Sequence, residues 1–239
     1  MSIKKNLKFL IRKIGFDVER YGISASSDFR LNHYLRLKKI DNVLDVGANI
    51  GQYAHKLRKI GYKGFIMSFE PLTEAFQILQ KCSQKDRYWK VYNFGLGDIE
   101  TREKINISKN SFSSSILDME QEHLNADLNS KYISSEEIIV KRADNLEGQN
   151  LESFKNIFLK IDTQGYEDRI LNGIDKIQSK IKGIEVEMSF YPMYKNQMNF
   201  EDLLKKIKEM NYELWDLTRN FSDKNGKILQ ANGVFFKNE

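Results

Sequence analysis

The sequence predicts an α/β fold: a seven-stranded Rossmann-like sheet with helices on both faces, preceded by N-terminal helices. Three observations carry this. Short apolar runs at residues 43–46, 64–69, 91–93, 157–161 and 184–188 alternate with stretches of helical spacing, the pattern of stacked βαβ units. The first run passes directly into a glycine turn, Asp45-Val46-Gly47-Ala48-Asn49-Ile50-Gly51. Two final apolar runs, 212–217 and 234–236, suit an antiparallel hairpin that closes the sheet, and this separates the fold from a nicotinamide-binding Rossmann domain.

The chain of 239 residues suits one domain at 40–239 behind a helical segment at 1–39. With 41% hydrophobic and 30% charged residues, and no apolar run near the ~18 residues of a membrane span, a soluble globular chain is expected. A single cysteine, Cys82, excludes an intrachain disulfide and a cysteine-based zinc site, and a cytoplasmic setting is the default. The net charge of +5 permits anionic substrates or membrane surfaces and does not demand nucleic acid.

Ile3, Leu7, Leu10, Ile11 and Ile14 recur at helical spacing among Lys4, Lys5, Lys8, Arg12 and Lys13, giving a basic amphipathic helix. Its apolar stretches are too interrupted for a signal sequence. It either packs on the domain or a second subunit, or docks on a membrane surface from the inner face. A second helix is expected over 28–39, a crossover helix over 52–60 stopped by Gly61, and another over 73–82 with Thr73 as its N-cap. Residues 94–98 read as a glycine-punctuated loop, 104–108 as a strand outside the repeat, and 138–140 as a resumed strand. Between them, residues 109–135 are the least regular part and are expected to form a lid-like insertion or a flexible loop. Helices over 167–172 and 200–210 complete the order.

The glycine turn lacks the G-x-G-x-x-G of dinucleotide binders; its D-x-G-x-x-x-G spacing is the one S-adenosylmethionine enzymes use. The alternative is a strand-to-helix turn without ligand. Glu70, ending the second strand before Pro71, stands where an acidic residue accepts hydrogen bonds from ribose hydroxyls. Asn93 is either an adenine-side contact or a turn former. Asp162 ends the fourth main strand and points to the same crevice as Gly47 and Glu70.

Five blocks together resemble the FkbM-type S-adenosylmethionine-dependent methyltransferases: 45–53, Ser68-Phe69-Glu70-Pro71, Ser113-Ser114-Ser115 with His123, 159–167, and 187–197. They span residues 40–237 in the family's order. The resemblance implies a class I methyltransferase fold, S-adenosylmethionine as cofactor held by Asp45, Gly47, Asn49, Gly51, Glu70, Pro71, Asn93 and Asp162, and O-methylation of a sugar hydroxyl on a polysaccharide, glycolipid or secondary metabolite. Gly95 departs from the family's usual Ala and Asn232 from its frequent Asp.

A sugar hydroxyl needs help in losing its proton. His123, Asp162 and Glu187 compete for that catalytic task. Asp162 and Glu187 also resemble half of an oxygen-ligand site for a divalent metal such as Mg²⁺, although spacing identifies no further ligand. Tyr191, Tyr194 and Gln197 would form a sugar-facing wall, and Ser113, Ser114 and Ser115 would contact the acceptor or the amino-acid end of the cofactor. The partner expected is a sugar or glycolipid-linked acceptor. Nucleic acid is not expected, because the loop after the fourth strand reads Asp162-Thr163-Gln164-Gly165 and holds no proline. A non-catalytic scaffold, a methyltransferase of another small molecule or RNA, and a nicotinamide-dependent sugar oxidoreductase are the competing readings.

Overall fold

A computed structural model describes residues 3–18, 21–146 and 151–238. Two helices come first, α1 (Ile3–Lys13) and α2 (Ser27–Leu37). Ser26 caps α2, its Oγ accepting from the Phe29 N–H at 3.2 Å. Leu31, Tyr34 and Leu35 bury the inner face of that helix.

β1 (Asn42–Val46) enters α3 (Gln52–Lys59) through the glycine turn, and β2 (Phe65–Phe69) enters α4 (Thr73–Ser83). The N-cap of α4 is Leu72 and not Thr73. Thr73 already lies inside the helix, and its N–H and hydroxyl both donate to the Glu136 carboxylate. Next come β3 (Trp89–Tyr92), β4 (Gly95–Gly97), β5 (Thr101–Ser108), α5 (Gln121–Ala126) and β6 (Tyr132–Arg142). Then follow β7 (Ile157–Ile161), α6 (Glu167–Asn172), β8 (Ile181–Ser189), α7 (Phe200–Glu209), β9 (Tyr212–Ser222) and β10 (Ile228–Lys237).

Seven strands form one sheet in the order β3-β2-β1-β7-β8-β10-β9. β1, β2, β3, β7 and β8 run parallel, and β10 runs antiparallel to both β8 and β9. The chain winds outward from β1 in one direction and from β7 in the other, so the switch point lies between these two strands. The expected closing hairpin is present and longer than its apolar runs indicate. Among the described residues no helix is long and apolar enough to cross a membrane.

Both faces of the sheet are covered, and the two-residue period of the strands divides the buried side chains between them. Leu44, Val46, Leu159, Ile161, Ile184 and Val186 pack with Ile170, Leu203 and Ile207 of α6 and α7. Val43, Ile66 and Phe158 pack with Leu31, Leu35, Ala54, Leu57 and Leu79 of α2, α3 and α4. The alternation leaves a polar row on the second face: Ser68, Asp45, Lys160 and Glu185 are successive cross-strand neighbours.

A second sheet, β4-β6-β5, overlies the first strands' carboxyl ends. Residues 94–98 are therefore not simply a loop: β4 pairs in parallel with β6 through backbone groups, and two glycines leave no side-chain alternation to betray it. Residues 109–135 are more regular than expected as well. They contain α5 and a 3₁₀ turn at Leu128–Ser130, and β6 begins at Tyr132. Asn106 and Ser115 exchange backbone hydrogen bonds of 2.8 and 3.0 Å, and Glu120 N–H donates to the Met193 carbonyl at 2.9 Å, so the segment is tied down at two points.

Candidate active site

A cavity of about 560 Å³ lies at the carboxyl ends of β1, β2, β7 and β8, roofed by residues 110–130 and by the β4-β6-β5 sheet. At the end of β1 the backbone turns at Gly47 with φ +74°, and a Cβ there would stand 1.9 Å from the Asp162 carbonyl oxygen. Gly47 thus lets the ends of β1 and β7 touch. Gly51, at φ +96°, meets the rings of Trp89 rather than the cavity; it serves the packing of α3. Asn49 stands between them in the left-handed region at φ +48°.

Glu70 ends β2 and is 5% exposed. Its two carboxylate oxygens each accept one backbone N–H, from Asn49 at 2.8 Å and Leu72 at 2.9 Å. Burial raises its pKa to about 7 against the lowering effect of those donors. Beside it the wall is apolar, with Leu72, Leu96, Ile105, Ile138 and Val140. Asn93 lies outside the lining: its Nδ2 donates to the Glu70 and Pro71 carbonyls at 3.0 Å each, so it fixes the turn that aims Glu70.

Under the glycine turn, the Lys160 ammonium lies 3.2 Å from Asp45 Oδ1, 3.6 Å from Asp162 Oδ2 and 3.2 Å from the Gly47 carbonyl. Burial disfavours that charge, but the Asp45 and Asp162 carboxylates more than offset it and hold the Lys160 pKa above its usual value. Asp45, fully buried, also accepts from Ser68 Oγ at 3.0 Å. It braces the turn from below and is not on the cavity surface. Glu185 accepts from the Tyr53 hydroxyl, and burial raises the pKa of both groups. Lys160, Tyr53 and Glu185 line the cavity and escaped the sequence reading. The available signal was a lysine between Leu159 and Ile161, a charge inside an otherwise apolar strand.

After β7 the chain turns at Gln164 with φ +56°. This places the Gln164 Nε2 2.9 Å from Asp162 Oδ1 and 2.9 Å from Glu187 Oε2. The half metal site read from the sequence is corrected here: an amide donor holds the two carboxylates, and among the described residues no three His, Cys, Asp or Glu side chains gather as metal ligands. Glu187 also accepts from Asn220 and from Gln230 Nε2 at 2.7 Å. Burial first, then the Asp162 charge, pushes its pKa well above the ordinary carboxylate value. Asn232 pairs in register with Glu187 on β10, so a carboxylate at that position would add a further charge against it.

His123, on α5, lines the cavity at 3% exposure. Its ring meets Tyr194 edge-on at 5.2 Å and Phe221 at 5.6 Å, and its Nδ1 is buried without a hydrogen-bond partner. Burial lowers its pKa to about 4, so the imidazole is neutral near pH 7. Ser113 and Ser114 lie on the lining with Asn110, Asp127 and Ser130. Asn110 Nδ2 ties that group together, donating to Ser113 Oγ and Asp127 Oδ2 at 3.1 Å each.

The expected sugar-facing wall is not on the cavity. Tyr194 is buried, and its hydroxyl donates to Gln164 Oε1 at 2.7 Å, which turns the Gln164 Nε2 toward the carboxylates. Gln197 is spent on the Met193 N–H at 3.3 Å and Ser189 Oγ at 3.0 Å, and Tyr191 faces outward under Lys227. Ser115 likewise serves the scaffold, donating to the Gln164 carbonyl at 2.6 Å. Loop residues after a strand take either direction, and spacing alone does not tell which.

A family model described as Methyltransferase FkbM domain matches residues 45–214. No curated protein matches the sequence. Among solved structures the chain is similar to TehB from Haemophilus influenzae, at 11% identity and a TM-score of 0.46, covering 87% of this chain and 62% of TehB. It is also similar to an rRNA methylase from Streptococcus thermophilus, at 10% identity and a TM-score of 0.47, covering 91% of this chain and 100% of that one. A third likeness is to precorrin-6y C5,15-methyltransferase from Geobacter metallireducens, at 12% identity and a TM-score of 0.44, covering 95% of each chain.

Proposed function

The chain belongs to the FkbM methyltransferase family, and from that membership we propose that it transfers the methyl group of S-adenosylmethionine to a hydroxyl of an uncharged sugar. The observation that carries the reading is one cavity lined by both Glu70 and the neutral, buried His123.

The lining fits the cofactor. A volume of about 560 Å³ is of the size small ligands occupy. Each Glu70 oxygen accepts one N–H and keeps a second lone pair, the arrangement a pair of ribose hydroxyls would use. Leu72, Leu96, Ile138 and Val140 would flank the adenine, and the turn at Gly47 to Asn49 would receive the amino-acid end. When bound, S-adenosylmethionine supplies a methyl group already activated on a sulfonium sulfur.

The protein's own residues then have to orient an acceptor oxygen and manage its proton. Asp162, held by Lys160 and Gln164, lines the cavity and would orient the hydroxyl. His123 is neutral and would accept the proton. Asp127, Asp162 and Glu187 line the cavity, and among the described lining residues the two lysines, Lys56 and Lys160, pair with Asp28 and with Asp45 and Asp162. The described lining therefore carries more acids than lysines, which supports an uncharged sugar.

Calorimetric titration with S-adenosylhomocysteine, run beside NAD, tests the cofactor: saturable binding of the first alone is expected, and NAD binding alone would overturn the reading. Methyl transfer to neutral glycosides, compared with uronic acid and sugar phosphate acceptors, tests the acceptor class. Preference for the charged acceptors would defeat that part.

A further inference from the structure

The first sixteen residues hold five cations, Lys4, Lys5, Lys8, Arg12 and Lys13, and no acidic residue. They equal the whole net charge of +5, so the rest of the chain is charge-balanced. Residues 7–18 also carry a run of exposed apolar side chains. Leu7, Phe9, Leu10, Ile14, Phe16 and Val18 are between 52% and 71% exposed, and no described residue of α1 belongs to the hydrophobic core. By contrast α2 buries three side chains against the sheet.

The segment is locally ordered. The Phe16 N–H donates to the Ile11 carbonyl at 3.2 Å, and Asp17 is held by Arg12 at 2.9 Å and Lys8 at 3.5 Å. These contacts tie residues 16 and 17 back to the helix.

We propose that α1 with residues 14–18 lies in the interface of an anionic lipid surface, its leucine, isoleucine and phenylalanine side chains entering the acyl boundary and its lysines meeting the headgroups. A short helix with an apolar stripe and a basic flank gains both from apolar burial and from attraction to anionic headgroups. A second copy of the chain fits poorly. A two-fold contact through this face would set five cations against five with only Asp17 of each copy between them. An anionic surface removes that repulsion.

Sedimentation of the full chain with vesicles tests this, using phosphatidylcholine alone and phosphatidylcholine mixed with phosphatidylglycerol. Binding to the mixed vesicles is expected, weakening by about tenfold or more in about 0.5 M salt, with little binding to the neutral ones. Leu10→Glu, and separately Lys4→Glu with Lys5→Glu, should each reduce binding by about tenfold or more. Both variants should melt where the parent does, because no described residue of this face belongs to the core. Absence of binding to the mixed vesicles, equal binding to both kinds, or a dimer abolished by Leu10→Glu would each overturn the proposal.

Discussion

Glu70 couples ligand binding to pH. Its buried carboxyl has a pKa raised to about 7, and hydroxyl donors favour its charged form. Binding of S-adenosylhomocysteine is therefore expected to release a proton near neutrality and to weaken as the pH falls below about 7. Calorimetry in buffers of different ionisation enthalpy measures that proton. Glu70→Gln should remove the pH dependence and cost about 1.5–3 kcal/mol of binding. At Gly47 the expected effect is on folding. Both the positive φ and the 1.9 Å approach to the Asp162 carbonyl oppose any side chain, so Gly47→Ala should destabilise the protein by about 2–3 kcal/mol in denaturant unfolding. The importance of both residues was legible in the sequence. The reason for Gly47 was only half so: the spacing pointed to a ligand turn, and what fills the space is the neighbouring strand end.

The elements that roof the cavity are where local signals were weakest. β4 is built from two glycines and a leucine, and α5 spans six residues, too short for a periodic pattern to declare itself. His123 is nonetheless held by α5 between Tyr194 and Phe221. His123→Phe keeps a ring in that place and removes the proton acceptor. It should lower turnover by about a hundredfold or more with S-adenosylhomocysteine affinity unchanged; unaltered turnover would reduce His123 to a packing residue. Tyr194 and Ser115 belong to this scale as well. Both hold Gln164, the first by its side chain and the second by its backbone, so they act on the cavity through the turn after β7.

At the scale of the whole molecule the buried acids set the pH response. Glu70 and Glu167 both have pKa values raised to about 7 by burial, and burial raises Glu185 and Glu187 in the same direction. A carboxyl whose folded pKa is raised contributes stability below its unfolded pKa, and that contribution is lost as the pH rises through the folded value. His123 opposes this on the acid side: its pKa, lowered to about 4, makes stability fall as the pH drops from about 6.5 through 4. The ligand-free protein should therefore melt at a lower temperature at about pH 8 than at about pH 5.5, and Glu70→Gln should shrink the difference. Scanning calorimetry across that range checks it. The sequence by itself determined the layer architecture, the seven strands, the glycine turn and the acid after β2, because strand burial, helix period and turn chemistry are properties of neighbouring residues. It did not reveal the row Ser68, Asp45, Lys160 and Glu185 across four strands, the amide between Asp162 and Glu187, or the inward turn of Tyr194. Those contacts join residues far apart in the chain, and only the closing of the sheet and its roof brings them within hydrogen-bond distance.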